Sequence, residues 1–438
     1  MDLSNNPSDI PAAPEAKSFF EEKLGKFNIW WLIGILGAIH LFVINFPNSQ
    51  GQYVFDEAYY IPDAHNFMTG IASNLEHPFL GKAWIALGQV LAQALGGSWQ
   101  NTFFPRLIEV GFGLGALYVF YLLALRWLTR NQSLFATALL GLDTLFFVHT
   151  SLALLDGPPL FFTFLGILFY FYWRDNLNEN YLIYSGFAFS LAILSKETAA
   201  LFVMVIAFYH LFSTKTFAEI HLKSMLRWFV IIVMIVIGAL TVYDWVFHPI
   251  ATFSNAGQVV LAYGWQNIQY MVSYQSALTL STSMAGDPWH YALGWINPLT
   301  IAPDPYYVTT VTVGNTVVGH PIDWQGIGNL AVWYSIYPLC GYIGYKFLRK
   351  QRLTSLEILL ASWIGIVYGA NLYTSYIVHR IVYGFYMLDL TPALVLGIPL
   401  IINALIKNPY ERRTMYLLFL IEAVIWFILF FPVHPWLF

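Results

Sequence analysis

Residues 28–60 read NIWWLIGILGAIHLFVINFPNSQGQYVFDEAYY: an apolar run from Asn28 to Phe46 without one Asp, Glu, Lys or Arg, a polar stretch, and then the acidic pair Asp56-Glu57 set among aromatics. A helix rising 1.5 Å per residue needs about 20 apolar residues to cross a hydrocarbon core of about 30 Å. The first part therefore reads as a membrane span, and the acidic pair lies just beyond the point where the chain emerges. The run is too long for the apolar core of a secretory signal and no clean small-residue cleavage site follows it, so it reads as a retained anchor.

The same ruler fits about eleven times along the chain. The expected spans are 28–46, 105–128, 131–150, 157–173, 181–194, 197–212, 225–247, 327–348, 354–371, 381–406 and 413–431. The fifth and sixth are one apolar run interrupted by Ser195-Lys196-Glu197, either two short helices or one broken one. The chain has 438 residues, 58% hydrophobic and 10% charged, too few charges to wet a globular surface, which excludes a soluble enzyme and a disordered chain alike. The net charge of -4 carries no basic patch suited to nucleic acid, and the single Cys340 allows no internal disulfide.

Lysine and arginine in short loops stay on the cytoplasmic side. With the polar tail 1–27 inside, all but four of the 20 basic residues fall in cytoplasmic segments, and the C-terminus lies outside. The four exceptions are Lys82, Arg106, Lys196 and Arg380. Within the membrane domain 28–438, two long segments lie outside, 47–104 and 248–326. The first contains Phe79–Leu95, which is short for a span and carries Lys82 and Gln89, so it reads as a helix lying in the interface. The second contains YYVTTVTVGNTVVGHP (306–321), whose alternation around Gly314-Asn315 reads as a β-hairpin.

The charged residues of the outer side admit bland and chemical readings. Asp56 and Glu57 suit a helix N-cap and first turn. They equally suit a pair in which one carboxylate takes a proton from an acceptor hydroxyl while the other orients it or holds a cation. Asp63 falls on the same helical face as Asp56 if the helix continues through Pro62. Glu76-His77-Pro78-Phe79-Leu80-Gly81-Lys82 opens a helix, and its acid, imidazole and lysine are also suited to a phosphate or a phosphate-bound divalent metal at Glu76 and His77. Asp156 sits in a tight outer turn before Gly157-Pro158, with little loop to solvate it. Lys196 and Glu197 either pair with each other at the helix break or face a polar cavity, where Lys196 is an anion receptor. Arg380 is either a snorkelling arginine or a second phosphate fork. Arg106 and Glu109 read as a structural pair at helical spacing.

These motifs, in this order, resemble the protein O-mannosyltransferase family, within the polyprenyl-phosphate-dependent glycosyltransferases of the GT-C fold. The resemblance rests on FDEAYY after the first span, EHPFLGK beside the family's HPPLGK, LALLDGPPLFF, LAILSKETAALF, GDPWHYALGWINPL, VTVGNTVV and YGFYMLDLTPALVLGI. It implies an all-α polytopic membrane protein that moves a sugar, mannose by preference, from a dolichyl- or polyprenyl-phosphate donor to an acceptor hydroxyl at the outer or lumenal face, with inversion. The preferred acceptor is a protein Ser or Thr, with a lipid or glycan as the alternative.

By the same resemblance Asp56 is the catalytic base and Glu57 its partner. Lys196, Arg380 and Lys82 hold the donor phosphate, while Asp156, Asp63, His77 and Trp289 form the acceptor or sugar site. Glu76 and His77 match the region where related lipid A aminoarabinose transferases hold a metal. Phe79 departs from the second proline of HPPLGK, Asn297 stands where an arginine is expected, and the extra sugar-recognition domain of eukaryotic members is absent, which implies a prokaryotic-type member in the plasma membrane rather than one in the ER. The rival class is a lipid-linked sugar transporter or flippase. It predicts polar residues and broken helices near mid-membrane, often in related halves, whereas here the charges gather at one face.

Overall fold

The computed structural model describes residues 28–48, 51–214, 221–247, 261–279, 290–297, 303–313 and 316–434. Its helices are α1 (Ile29–Val43), α2 (Glu57–Met68), α3 (Phe79–Ala94), α4 (Phe103–Ala124), α5 (Arg130–Leu142), α6 (Thr144–His149), α7 (Gly157–Asn176), α8 (Glu179–Ser195), α9 (Ala200–Ser213), α10 (Leu222–Phe247), α11 (Leu261–Ala277), α12 (Leu330–Tyr334), α13 (Ile336–Leu348), α14 (Ser355–Tyr376), α15 (Thr391–Leu405) and α16 (Pro409–Leu429). The stretches expected to span the membrane fall on one of these helices or on a closely joined pair, except that 381–406 begins as extended chain and a 3-10 turn at Gly384–Asp389, so only its latter part forms α15.

The breaks have local causes. Asp143 turns extended between α5 and α6 and caps α6 by accepting from the Phe146 N–H. Lys196 is extended (φ −155°, ψ 128°), so α8 ends there and the chain restarts as a 3-10 turn at Glu197–Ala199 before α9: the interrupted run is two helices. At the far end from Asp56 the helix starts are sealed by side chains. Asn28 accepts from Trp30 and Trp31, and Thr129 with Gln132 and Thr354 with Glu357 form capping boxes. Each such cap is worth about 0.5–2 kcal/mol.

Helices α4, α7 and α8 pack side by side at the centre, with α10 and α11 beyond α8, and α9 against α14. The interior is apolar and continuous, built around Phe120, Phe164, Trp173, Phe189, Trp228 and Trp363. The outer surface is apolar too. Along α16 the side chains of Leu417, Leu418, Ile421, Val424, Ile425 and Ile428 are exposed, as are Leu226, Phe229, Val230 and Met234 on α10. A helix apolar on both sides belongs in lipid. Among the described residues α4, α10 and α14 are each long and apolar enough to cross a membrane alone, with α1, Glu197–Ser213 and α15 as shorter apolar helices.

Helix α3 carries its polarity inside out. Lys82 and Gln89 face the protein, while Leu87, Val90, Leu91 and Leu95 are exposed, which suits a helix lying along the membrane surface. The hairpin read from Gly314-Asn315 is present as β2 (Val311–Val313) against β3 (Thr316–Gly319), its two turn residues lying outside the described ones. A second antiparallel pair, β1 (Asp304–Val308) with β4 (Asp323–Gly326), encloses it and docks on the bundle through buried Tyr306 and Trp324.

Candidate active site

Asp56 occupies the N-cap position of α2, yet its side chain makes no bond to the first turn. The carboxylate is partly buried and has no hydrogen-bond partner among the described residues. Capping therefore does not explain it. The residue before it, Phe55, is held at φ 52°, in the left-handed region that a bulky side chain enters at a cost of about 1–2 kcal/mol. Leu155 (φ 66°) precedes Asp156 and His379 (φ 56°) precedes Arg380 in the same conformation. Strained backbone of this kind persists only where surrounding contacts over-determine it, and it clusters at functional sites. For Phe55 the contact is visible: its ring stacks on Tyr306 with centroids 4.1 Å apart and planes 10° from parallel.

Glu57 points the other way. One residue advances a helix by about 100°, so adjacent acids cannot share a face. Glu57 is fully buried and takes a two-pronged contact from Arg106 of α4, Nε to Oε1 at 2.8 Å and Nη2 to Oε2 at 2.7 Å. It also accepts from the backbone N–H of Val54 at 2.9 Å and of Ala153 at 3.0 Å. Arg106 further donates to the carbonyls of Ile44 and Phe46. The partner of Arg106 is thus Glu57, not the Glu109 that helical spacing suggests. Glu109 instead accepts from the Gly157 N–H at 2.9 Å, sealing the start of α7 from a neighbouring helix.

That leaves Asp156, at the N-cap of α7, without a capping task. Its two oxygens take Lys196 Nζ at 2.5 Å and His149 Nδ1 at 2.8 Å. The carboxylate can only accept, so His149 presents its Nδ1–H to it, while the ring's Nε2 meets the Tyr306 hydroxyl at 2.9 Å. A second chain of contacts runs alongside. Tyr60 meets His77 Nε2 at 3.2 Å, His77 Nδ1 meets Glu197 at 2.9 Å, and Gln275 Nε2 reaches Glu197 at 3.4 Å. Gln275 accepts from Arg380 through its backbone carbonyl, at 2.7 Å, and through its side-chain oxygen. Arg380 also donates to the Tyr386 hydroxyl at 3.2 Å.

Asp56 lies within electrostatic reach of Lys196, His77, His149 and Asp156, so both chains flank one carboxylate. Burial lifts the pKa of Asp56 above the ordinary aspartate range, and the cations around it only partly offset this. Burial pushes Asp156 in the same direction, but Lys196 and His149 outweigh it and hold the acid down at about 2. Burial opposes the charge on Lys196, and the adjacent Asp156 still keeps its ammonium pKa above the ordinary lysine value. The two aspartates are thereby driven in opposite directions, Asp156 towards its anion and Asp56 towards its protonated form.

The remaining residues singled out from the sequence are less central. Lys82 is buried and donates to the carbonyls of Ser73 at 2.9 Å and Asn74 at 2.6 Å, closing the loop between α2 and α3, and burial brings its pKa to about 8. Helix α2 does continue through Pro62, and Asp63 on it lies within electrostatic reach of Lys82. Trp289 lies outside the described residues. A divalent metal at Glu76 and His77 does not fit the side chains present. Both ring nitrogens of His77 are engaged, and among the described residues no three His, Cys, Asp or Glu side chains gather as a metal site would need.

Close packing holds α3 against this cluster. A Cβ on Gly81 would lie 2.4 Å from the carbonyl oxygen of Ser195, the residue before Lys196. Gly81→Ala is expected to push α3 off the end of α8 and lower stability by about 1–3 kcal/mol. A melting curve of the variant in detergent checks this, and an unchanged midpoint would show that the helices have room to part.

His149 and Tyr306 were not singled out from the sequence. The signal for His149 was present: it stands seven residues before Asp156 in an otherwise uncharged apolar run, and an ionisable group there is functional by default. Tyr306 gave no such signal, because its role depends on the β1–β4 pair bringing it 157 residues along the chain to His149.

Residues 31–252 match the model of the family described as dolichyl-phosphate-mannose-protein mannosyltransferase. No curated protein matches the sequence significantly. Among solved structures the chain is similar to the Saccharomyces cerevisiae protein O-mannosyltransferase Pmt1-Pmt2 complex bound to the sugar donor, with TM-score 0.71 and 10% identity over 95% of this chain and 90% of that one. It is also similar to the oligosaccharyltransferase AglB from Archaeoglobus fulgidus (TM-score 0.53, 14% identity, 94% of this chain and 56% of that one). ArnT from Cupriavidus metallidurans gives TM-score 0.54 and 15% identity over 88% of this chain and 62% of that one. At such identities the structural likeness speaks for the fold, which is GT-C. The family match covers the segment that carries Asp56, Glu57, Asp156 and Lys196. By that match the chain belongs to the dolichyl-phosphate-mannose-protein mannosyltransferase family, and it is a membrane-embedded glycosyltransferase that depends on mannose linked to a polyprenyl phosphate.

Proposed function

We propose that the protein transfers mannose from a dolichyl or polyprenyl phosphate to the hydroxyl of a protein Ser or Thr, with inversion at the anomeric carbon. The observation that carries this reading is Asp56: an uncapped, partly buried carboxylate with raised pKa, flanked by the Lys196–Asp156–His149 and Arg380–Gln275–Glu197–His77 chains.

The acceptor oxygen attacks the anomeric carbon from the face opposite the phosphate and passes its proton to Asp56. The sugar–oxygen bond to the phosphate breaks and its electron pair stays on the leaving oxygen. Cations beside that oxygen stabilise the charge as it develops. An ammonium has three donors and Lys196 gives one to Asp156, so two remain for phosphate oxygens. Arg380 is held by Nε and Nη2, which leaves Nη1 for the same task. Tyr383 and Phe385, stacked with centroids 5.2 Å apart, form an aromatic wall next to Tyr386 that suits a sugar face. Basic loops gather at the opposite end of the bundle, which supports an outer or lumenal position for this site.

The test is to incubate the purified protein with polyprenyl-phosphate mannose and a Ser/Thr peptide and to determine the anomeric configuration of the product. Retained configuration, or transfer only to lipid or glycan, would overturn the reading. The pH profile is a separate check. Asp56 acts as a base only when ionised, so kcat/KM is expected to fall as pH drops through its raised pKa, while Asp156, held at about 2, stays charged throughout. An acid limb at or below the ordinary aspartate range would take the base role away from Asp56.

A further inference from the structure

A cavity of about 1120 Å³ among the described residues lies away from Asp56. Arg126, which lines it, follows the C-terminal end of α4, whose first turn holds Arg106 against Glu57. Arg174 is in the last turn of α7, the helix that Asp156 begins, and Ser213 ends α9, which starts just after Lys196. With α4 running 22 residues, the cavity and Asp56 are about 30 Å apart, at opposite faces of the membrane.

Its chemistry is divided along its length. At the mouth stand Arg126, Arg174 and Arg352, against a single acid, Asp175. Arg126 gives Nη2 to Asp175 at 2.6 Å and lies over the Phe171 ring at 5.0 Å, and its buried Nε has no acceptor. Arg174 donates to His210 at 3.1 Å, and Arg352 is exposed in the loop between α13 and α14. Inward the lining turns apolar, between Phe208 and Phe212 of α9 and Ile358, Gly365 and Ile366 of α14. From Ser355 to Ile366 the slot follows α14 for about 16 Å, roughly the depth of one leaflet of a bilayer core about 30 Å thick. The side chains of Phe208 and Phe212 are exposed beside it, so the slot opens towards lipid.

We propose that this cavity binds an anionic phospholipid of the leaflet opposite the catalytic site, its headgroup phosphate on the three arginines and one acyl chain in the slot between α9 and α14. An excess of arginine over acid selects a negative headgroup, and basic pockets between membrane helices bind such headgroups. A slot one leaflet deep selects a lipid over a free phosphate. The site makes no use of Asp56, so it stands whether or not the transferase reading does.

The experiment reconstitutes the full chain in nanodiscs of phosphatidylcholine with 10% phosphatidylglycerol and counts retained lipids by native mass spectrometry. Two variants probe the two halves of the site. Arg352→Glu reverses an exposed charge, and Gly365→Phe fills the slot at a position where an added Cβ meets nothing within 4 Å. The expected result is preferential retention of phosphatidylglycerol by the wild type, lowered about tenfold by either variant, with mannosyl transfer at Asp56 and the melting midpoint in phosphatidylcholine alone unchanged. Equal retention by wild type and both variants overturns the proposal, as does recovery of polyprenyl phosphate in place of phospholipid. Equal stabilisation by inorganic phosphate alone would show a simple anion site and overturn it too.

Discussion

Asp56→Asn is expected to bind the lipid-linked donor as the wild type does and to transfer mannose about 10²–10⁴ times more slowly, the usual contribution of a positioned base. At 1.36 kcal/mol per factor of ten this is about 2.7–5.4 kcal/mol of transition-state stabilisation. Asparagine keeps the shape of the side chain and removes only the proton acceptor. Because the carboxylate caps nothing and has no partner among the described residues, the change breaks no contact and the fold should melt unchanged. The measurement pairs single-turnover transfer with donor binding on the same preparation. A variant with near wild-type turnover would remove the base assignment, and one that loses donor binding would make Asp56 a binding group instead. Lys196→Met offers the complementary pattern. It strips a cation from the leaving group and leaves Asp156 buried with only His149 beside it, so donor affinity and stability should fall together.

Where the apolar helices lie was legible because most of them follow one length rule applied to apolar runs, while the 3-10 turn at Gly384–Asp389 that shortens the run at 381–406 was not. Even the surface helix at Phe79 was visible from its length and from Lys82 and Gln89. The adjacent acids Asp56 and Glu57 were legible as a pair but not as two different residues. Helical rotation turns Glu57 inward, but only the distant Arg106 decides that a buried carboxylate there is satisfied, and that contact spans 49 residues. Local spacing pointed instead to Glu109, a pairing that the start of α7 claims for its own N–H. Lys82 illustrates the same point. A lysine beside an acid and an imidazole suggests phosphate, whereas the fold closes two carbonyls over its ammonium. What sequence periodicity conveys is which face a residue occupies; which partner waits there depends on how helices far apart in the chain come together.

The Glu57–Arg106 pair carries the largest expected effect on stability. Both side chains have no exposure to solvent, so each charge relies on the other for what water would have supplied. Arg106→Met leaves Glu57 with two backbone N–H donors and no counter-charge, and removing one member of such a pair costs about 3–5 kcal/mol. Arg106 also fastens the carbonyls of Ile44 and Phe46, at the exit of α1, so the variant should loosen the connection that delivers Asp56 to the site. Adding Glu57→Gln to Arg106→Met keeps an oxygen for Val54 and Ala153 while removing the stranded charge, and the double variant is expected to recover a large part of the loss. A thermal unfolding cycle over the wild type, the two single variants and the double variant measures this directly. Additive effects would mean that the two side chains act independently. A strong coupling, with turnover falling in step with the displacement of Asp56 rather than with donor affinity, would identify Glu57 as the residue that positions the base and not as a second participant in the chemistry.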